Sequence, residues 1–282
     1  MQRLSALPTP AGTGRQQRTR QTGDLYFRLT AFPYLYVTAL LYLRVYTERH
    51  FIMIITLASS KGGVGKSTTT ASLAGAFAHA GHRVHIIDLD SNHTVSRWLG
   101  GSDRASPRLT VSAADPQDLT EHLAEIAAKH TPDVTLVDIA GTYERALTVA
   151  IARAHLTIIP AGPSEAEIFE AARVARHIRS VFQAFGRDPL YRLLLTRVQP
   201  LASHAQNHAC AEIARLKLPA FETAIHHRAA YMEIGLSGQT PHFADKKRPT
   251  VDKAVAELDM LLAEIHAVIG TVCEPTLVKG AA

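Results

Sequence analysis

From residue 53 onward, short apolar runs alternate with longer segments in which apolar positions recur every three to four residues. The apolar runs predict strands at 53–58, 83–89, 109–113, 133–139, 155–160, 190–197 and near 219–224. The longer segments predict helices at 66–80, 115–130, 143–153, 164–185, 203–216, 227–236 and 250–269. Strands that alternate with helices are typical of a mostly parallel sheet covered on both faces, so the pattern predicts a doubly wound α/β fold.

The first 52 residues do not share this alternation. Residues 1–30 are rich in Gly, Pro, Thr, Gln and Arg, a composition typical of disorder. Residues 31–46 are apolar and aromatic, but they contain Pro33 and Arg44 and are shorter than the ~20 residues of a spanning helix, which disfavours a membrane anchor. We therefore predict an extension at 1–52, either disordered or a mis-assigned start that precedes Met53, a folded domain at 53–270 and a tail at 271–282.

The charge and the cysteines restrict the class of protein. The chain of 282 residues has a formal net charge of +5, and the excess comes from the arginines of residues 1–52, so the folded domain is nearly neutral. Any nucleic-acid site on that domain must be a local basic patch. Cys210 and Cys273 are far apart and belong to no C-x-x-C pattern, which indicates a reducing, cytoplasmic location and disfavours an iron–sulfur cluster.

The segment from Ser60 to Thr68, S-K-G-G-V-G-K-S-T, lies between the first predicted strand and the first predicted helix, where a phosphate-binding loop belongs. Its glycines allow consecutive backbone N–H groups to turn around an anion, and the helix adds its positive N-terminal end. We expect Lys66 to contact the β and γ phosphates and Ser67 to ligate Mg²⁺. The residues predicted to bind a nucleotide in this loop are Gly62, Gly63, Val64, Gly65, Lys66, Ser67 and Thr68.

Three carboxylates lie at or just after the ends of two predicted strands. Asp88 and Asp90 are two positions apart at the end of a strand, so both point to the same side at the edge of the sheet where open α/β folds bind ligands. The alternative is that this pair caps the next helix. Asp138 ends another apolar strand and precedes a loop of small residues that contains Gly141, and we expect it to hold Mg²⁺ through water.

The phosphate loop departs from the common pattern at two positions, because Ser60 stands in place of the first glycine and Lys61 follows it. With the paired and single aspartates, these features resemble the deviant Walker A motif of the ParA/MinD family of dimeric ATPases. The resemblance implies ATP and Mg²⁺ as cofactors and a homodimer in which Lys61 reaches the partner's phosphates.

The resemblance also implies roles for other residues. Asp88 would contact the Mg²⁺ shell, Asp90 would position the attacking water and Thr196 would contact the adenine. Lys61, Lys66 and Asp90 are thus the residues expected to carry catalysis. The family usually continues with Pro-Gln after the paired aspartates, whereas this chain has Ser91 and Asn92, which leaves the hydrolysis rate open.

The function implied by the resemblance is slow, partner-stimulated ATP hydrolysis that drives plasmid or chromosome partition in the cytoplasm, at the nucleoid, with nonspecific DNA and a small centromere-binding protein as partners. Residues 90–98, 113–115 and 194–199 look closest to VirC-type ATPases, so an alternative is recruitment of a conjugative DNA-transfer complex with a relaxosome partner. A third class is a non-hydrolysing nucleotide switch or a MinD-like membrane-surface positioning protein, the latter disfavoured because residues 271–282 show no basic amphipathic helix.

Two groups of basic residues are candidates for DNA contact. One is the cluster of Lys246, Lys247 and Arg248, with Arg215, Lys217 and Arg228 near it in sequence, and the other is the stripe of Arg173, Arg176 and Arg179 on the predicted helix 164–185. Runs of charge more often belong to a solvated surface, so the exposure and pairing of each cation decide between the two interpretations.

Overall fold

The computed structural model describes residues 52–101, 106–139, 144–201 and 203–273. Within them, six strands form one parallel sheet in the order β3-β2-β4-β1-β5-β6. The strands are β1 (Met53–Leu57), β2 (Val84–Asp88), β3 (Leu109–Ala113), β4 (Val134–Asp138), β5 (Leu156–Ala161) and β6 (Tyr191–Leu195). Residues 1–51, Gly141 and residues 274–282 lie outside the described part of the chain, so the predictions for them stay untested.

Nine α-helices connect or follow these strands within the described residues. They are α1 (Lys66–His79), α2 (Thr94–Leu99), α3 (Leu119–Lys129), α4 (Glu144–Arg153), α5 (Glu165–Ala184), α6 (His204–Arg215), α7 (Ala229–Met232), α8 (Ile234–Ser237) and α9 (Pro249–Cys273). Single 3₁₀ turns cover Pro116–Asp118 and Pro241–Phe243. None of the described helices is long and apolar enough to cross a membrane.

Alternation along the strands explains why the sheet is covered on both faces. In β2, Ile86 packs into one core and Ile87 into the other, and Leu136 and Val137 of β4 divide in the same way. One core contains α1, α2 and α9, and the opposite core contains α3, α4, α5 and α6. Apolar residues on both sides of a strand are what a doubly covered parallel sheet requires, so the predicted fold class is confirmed.

The structure corrects three predicted elements. The seventh strand predicted near 219–224 was wrong: this segment bonds to β6 through the isolated bridge between Leu193 and Ala220 and a few backbone hydrogen bonds, but it forms no continuous ladder. The backbone N–H groups of Glu222 and Thr223 donate to the Glu264 carboxylate at 2.8 Å each, so they do not pair with a strand. The helix predicted at 227–236 is two one-turn helices, α7 and α8, and α2 was not predicted at all.

Strand register brings the predicted site to one edge of the sheet. Asp138 pairs in register with Asp88 on one side and with Leu57, the last residue of β1, on the other. The chain leaves β1 into the glycine loop, and β1 lies between β4 and β5, where the direction of the strand order reverses. Open α/β folds bind ligands in the crevice at such a point.

Candidate nucleotide-binding site

The glycine loop has the backbone geometry of an anion-binding turn. Gly63 and Gly65 have φ angles of 76° and 90°, in the left-handed region that residues with a Cβ rarely adopt. Gly65 is the N-cap of α1, so the helix begins directly at the loop. Lys66 is largely buried and Ser67 is half-buried, which places both side chains in the loop's interior rather than in bulk solvent. The loop therefore has the backbone conformation that the predicted phosphate site requires.

Thr196 supports this loop from the end of β6. Its hydroxyl donates a hydrogen bond of 2.8 Å to the Val64 carbonyl, and its side chain is buried. A Cβ at Gly65 would lie 3.7 Å from the Thr196 side chain, so the two residues are in direct contact range. Thr196 thus has a structural role that the sequence did not predict, and its contact with the adenine stays a prediction.

Asp138 is a buried carboxylate without a hydrogen-bond partner among the described residues. Burial raises the pKa of Asp138 to about 6, although the nearby Ser67 hydroxyl and the charge of Lys66 act in the opposite direction. A carboxylate that is removed from water normally has a partner, because an unpaired buried charge is costly. A hydrated Mg²⁺ would supply that partner, and Ser67 offers an oxygen ligand beside it, so the residues present fit the predicted metal.

Asp88 and Asp90 have different environments. Asp88 is fully buried, and its carboxylate accepts hydrogen bonds from the backbone N–H of Ser96 at 2.9 Å and of Asp90 at 3.2 Å. Asp88 therefore caps the first turn of α2, which was the alternative interpretation of this pair. Asp90 borders the nucleotide cavity, and one of its oxygens accepts from the backbone and the side chain of Asn92. Their roles at Mg²⁺ and at the attacking water stay predictions.

A cavity of about 520 Å³ is bordered by the glycine loop. Its lining also includes a group that we call the base-side wall, which consists of Ile225, His226, His227, Arg228, Tyr231 and Met232. Trp98, the only tryptophan of the chain, also borders this cavity. Sequence analysis missed both features because neither belongs to a recognisable motif.

Lys61 is half-exposed, and its ammonium lies 3.9 Å from a carboxylate oxygen of Glu167 in the same chain. Glu167 also accepts hydrogen bonds of 2.6 Å from Arg197 and from the backbone N–H of Gly162. Burial opposes ionisation of Glu167, but these hydrogen bonds and the two nearby cations lower its pKa overall. Lys61 is therefore held by a charged group in the single chain, and its reach into a partner stays a prediction.

Several of the candidate DNA-contacting cations are already paired. Arg248 donates two hydrogen bonds, of 2.6 and 2.7 Å, to the Glu233 carboxylate. Lys246 and Lys247 are exposed, with no ion pair to the described residues. In the second group, Arg173 pairs with Glu170 at 3.0 Å and Arg179 donates to the Tyr191 hydroxyl at 2.6 Å. The two lysines are thus the more available cations of the cluster.

The glycine loop at the carboxyl end of β1, with its buried Lys66 and the aspartates beside it, defines a nucleotide-binding P-loop protein. Residues 55–241 match the model of the CobQ/CobB/MinD/ParA nucleotide binding domain, so the chain belongs to this family. Proteins of the ParA/MinD group are typically ATPases, and the predicted family is confirmed.

Three known proteins illustrate the similarity. Protein ParA of Rhizobium radiobacter is 27% identical over 206 residues, which cover 72% of this chain and 90% of ParA. Protein virC1 of the same organism is 32% identical over 183 residues, 64% of this chain and 79% of virC1. The septum site-determining protein MinD of Pyrococcus horikoshii, solved with Mg-ADP, shares the fold with a TM-score of 0.60, at 19% identity over 78% of this chain and 99% of MinD.

Proposed function

We propose that this chain is a Mg-ATP-dependent ATPase that closes into a homodimer, binds DNA in that state and drives plasmid or chromosome partition. The observation that carries the proposal is the glycine loop next to a buried, unpartnered Asp138, in a chain that aligns with 90% of a ParA protein. The nearly neutral folded domain fits DNA binding that depends on a local patch and on two subunits acting together.

The chemistry follows from where the charges lie. Backbone N–H groups of residues 62–66 and the N-terminal end of α1 hold the phosphates, and Lys66 supplies a positive charge that water cannot screen well at a buried position. Ser67 and Asp138 would hold Mg²⁺, Asp138 through water, and the ion would supply positive charge against the charge that develops on the phosphates. Asp90, at the border of the cavity, orients the attacking water.

Dimer closure depends on Lys61. Two bound triphosphates repel each other across a symmetric interface, and one Lys61 from each subunit would offset that repulsion through charge-assisted hydrogen bonds. In the single chain, Glu167 holds the same ammonium. Binding of the partner's phosphates therefore replaces one anionic contact of Lys61 with another, and the lysine is never without a counter-charge.

A second candidate function is recruitment of a conjugative DNA-transfer complex. It is favoured by the 32% identity with virC1, which is higher than the 27% identity with ParA, although the alignment is shorter. The two functions share the ATPase chemistry and differ in the DNA and the partner protein. A relaxosome component would replace the small centromere-binding protein, and transfer-origin DNA would bind better than unrelated DNA of equal length.

The proposal is tested by phosphate release and DNA binding measured together. Purified protein should release phosphate slowly from Mg-ATP, faster when DNA and the partner protein are added, and should shift nonspecific DNA only with ATP. Lys66→Ala should lose both activities. Absence of phosphate release and of an ATP-dependent shift would contradict the proposal, and cosedimentation with lipid vesicles instead would favour a membrane-surface role. Microscopy of tagged protein in cells would test the proposed cytoplasmic, nucleoid-associated location.

A further inference from the structure

A single buried carboxylate, Glu257 of α9, is bonded to the base-side wall of the nucleotide cavity. Arg228 donates to Glu257 through Nε at 2.8 Å and through a second, shorter contact from its terminal nitrogen. The Tyr231 hydroxyl donates to the other oxygen of the same carboxylate at 3.0 Å. The ring of His226 lies beside it, with Nδ1 2.8 Å from the carboxylate. Three members of the wall thus converge on one side chain that the phosphate chemistry does not involve.

The surroundings of Glu257 show that these contacts are strong. Glu257 is only 5% exposed, so water competes poorly with its bonds to a charged guanidinium and a hydroxyl. The hydrogen bond and charge of Glu257 raise the pKa of Arg228, and burial together with Glu257 raises the pKa of Tyr231, which keeps both groups protonated as donors. Both oxygens of the carboxylate are occupied by donors, and a neutral amide at this position leaves at least one donor unpaired.

The lining of the cavity indicates which part of a nucleotide the base-side wall would contact. If the glycine loop holds the phosphates, the rest of the cavity is bordered by the base-side wall, by Trp98 and by polar residues from Asp90 to Thr94 and at Thr196 and Arg197. The base-side wall and Trp98 supply the apolar and aromatic part of that lining, which is the part that suits a nucleoside. Arg228 borders the cavity, but its charge is directed to Glu257, so the wall offers the nucleoside a surface whose one arginine is already paired.

We propose that Glu257 is a positioning residue for the nucleoside: it fixes Arg228, Tyr231 and His226 in the conformation that accepts the base and sugar, while the glycine loop alone determines binding of the phosphates. This inference deepens the proposed function and rests on it. It assigns to the C-terminal helix α9 a role in selecting the nucleotide, because Glu257 contacts Arg228, which lies 29 residues earlier in the sequence.

The chain contains a matched control on the same helix. Glu264, seven residues after Glu257, binds the backbone N–H groups of Glu222 and Thr223, which precede the wall and do not border the cavity. Both glutamates therefore attach the same loop to α9, but only Glu257 bonds to residues that face the nucleotide. A role in holding the loop together would make the two positions equivalent, whereas a role in positioning the nucleoside would not.

The experiment compares binding of Mg-ATP and of Mg-tripolyphosphate, which lacks base and sugar, by calorimetry with full-length wild type, Glu257→Gln and Glu264→Gln. We expect Glu257→Gln to weaken ATP binding about tenfold or more and to leave tripolyphosphate binding within about twofold, with Glu264→Gln like wild type for both ligands. Parallel weakening of both ligands in Glu257→Gln, equal effects in the two variants, or unchanged ATP binding would each overturn the inference. A wild type that binds neither ligand would overturn the proposed function as well.

Discussion

The Lys61 ammonium lies 3.9 Å from a carboxylate oxygen of Glu167 in the same chain, and the Glu167 carboxylate also pairs with Arg197. A half-exposed ion pair of this length contributes little to stability, so the cost of breaking it on dimer closure is small. Lys61 is part of the glycine loop, so this pair fixes where its ammonium lies relative to the rest of the loop. In the proposed homodimer, Lys61 would exchange a carboxylate of its own chain for the phosphates of a partner.

Replacing Lys61 by Ala should abolish the ATP-dependent dimer and leave nucleotide binding by the monomer within a fewfold of wild type. The reason is that Lys66 and the backbone of the loop remain to hold the phosphates, while the charge that offsets repulsion between the two nucleotides is lost. Light scattering after size-exclusion chromatography with and without Mg-ATP measures the dimer. Lys66→Ala is the contrasting variant, since it should lose nucleotide binding itself. A dimer of Lys61→Ala equal to that of wild type would contradict the role in the partner.

Replacing Asp138 by Asn should stabilise the nucleotide-free protein and eliminate hydrolysis. Burial raises the pKa of Asp138 to about 6 from 3.8, so its ionised form destabilises the folded state by up to about 3 kcal/mol above pH 6, and the neutral amide removes that cost. The variant should also lose the additional stabilisation that Mg-ATP gives wild type. Thermal unfolding at pH 8, with and without Mg-ATP, tests both effects, and a lower midpoint without ligand would refute the explanation from burial.

Trp98 should report nucleotide binding through its fluorescence. It is the only tryptophan, it borders the cavity, and its indole nitrogen would lie 2.7 Å from a Cβ added at Gly235. A nucleoside in the cavity changes the exposure of this ring, so Mg-ATP should shift or quench the emission in a saturable way, and Mg-tripolyphosphate should do so much less. Trp98→Phe serves as the control for signal from other sources. Emission that is identical with and without saturating Mg-ATP would show that the base does not approach Trp98.

The free energy of unfolding should decrease as the pH falls from 6.5 towards 4 because of His85. This histidine is buried in β2, where its ring nitrogens lie 2.7 Å from the Thr110 hydroxyl and 2.8 Å from the Ser112 hydroxyl. Burial, and then the charges of His130 and His122, lower the pKa of His85 to about 4 from 6.5. The unfolded chain therefore binds a proton in this range that the folded chain does not, and stability is lost as the pH falls.

Between pH 7.5 and pH 5 this effect should cost about 2 kcal/mol, measured by urea unfolding. His85→Gln cannot titrate, so its stability should change less over the same interval. The difference between the two proteins separates the effect of His85 from that of Asp138, which is protonated in a similar pH range and changes the free energy of unfolding in the opposite direction. It also separates the effect of His85 from that of Asp133. The Arg83 hydrogen bonds lower the pKa of Asp133 to about 2, so its contribution is lost only below about pH 3.8. Equal slopes for wild type and variant would contradict the assignment.

Local signals in the sequence were sufficient for the sheet and the glycine loop. Runs such as Val134 to Asp138 are short and apolar on both sides, which specifies a central parallel strand without knowledge of its neighbours. The loop is specified by residue types whose accessible backbone angles do not depend on distant contacts, as the left-handed Gly63 and Gly65 show. These parts of the fold and site could therefore be predicted before any tertiary contact was known.

The parts that were missed depend on contacts distant in sequence or on very short elements. Helix α2 has six residues in a polar segment and is capped by Asp88, whose side chain reaches eight residues forward. The segment near 219–224 is apolar enough for a strand, but Glu264, 41 residues or more away, takes its N–H groups. The base-side wall likewise depends on Glu257. Nothing in the local sequence indicates such partners.

The pairing of Arg248 with Glu233 limits how many counterions DNA binding can release. Only Lys246 and Lys247 of that cluster are unpaired among the described residues, so a homodimer that used this cluster alone would present four such cations. Each phosphate neutralised on duplex DNA gives a slope of about −0.9 in a plot of log affinity against log salt concentration, so the total would be about −3.6. A slope of this size would lower the affinity for DNA by about two orders of magnitude between 50 and 200 mM salt, so DNA held by this cluster alone would be released readily as the ionic strength rises.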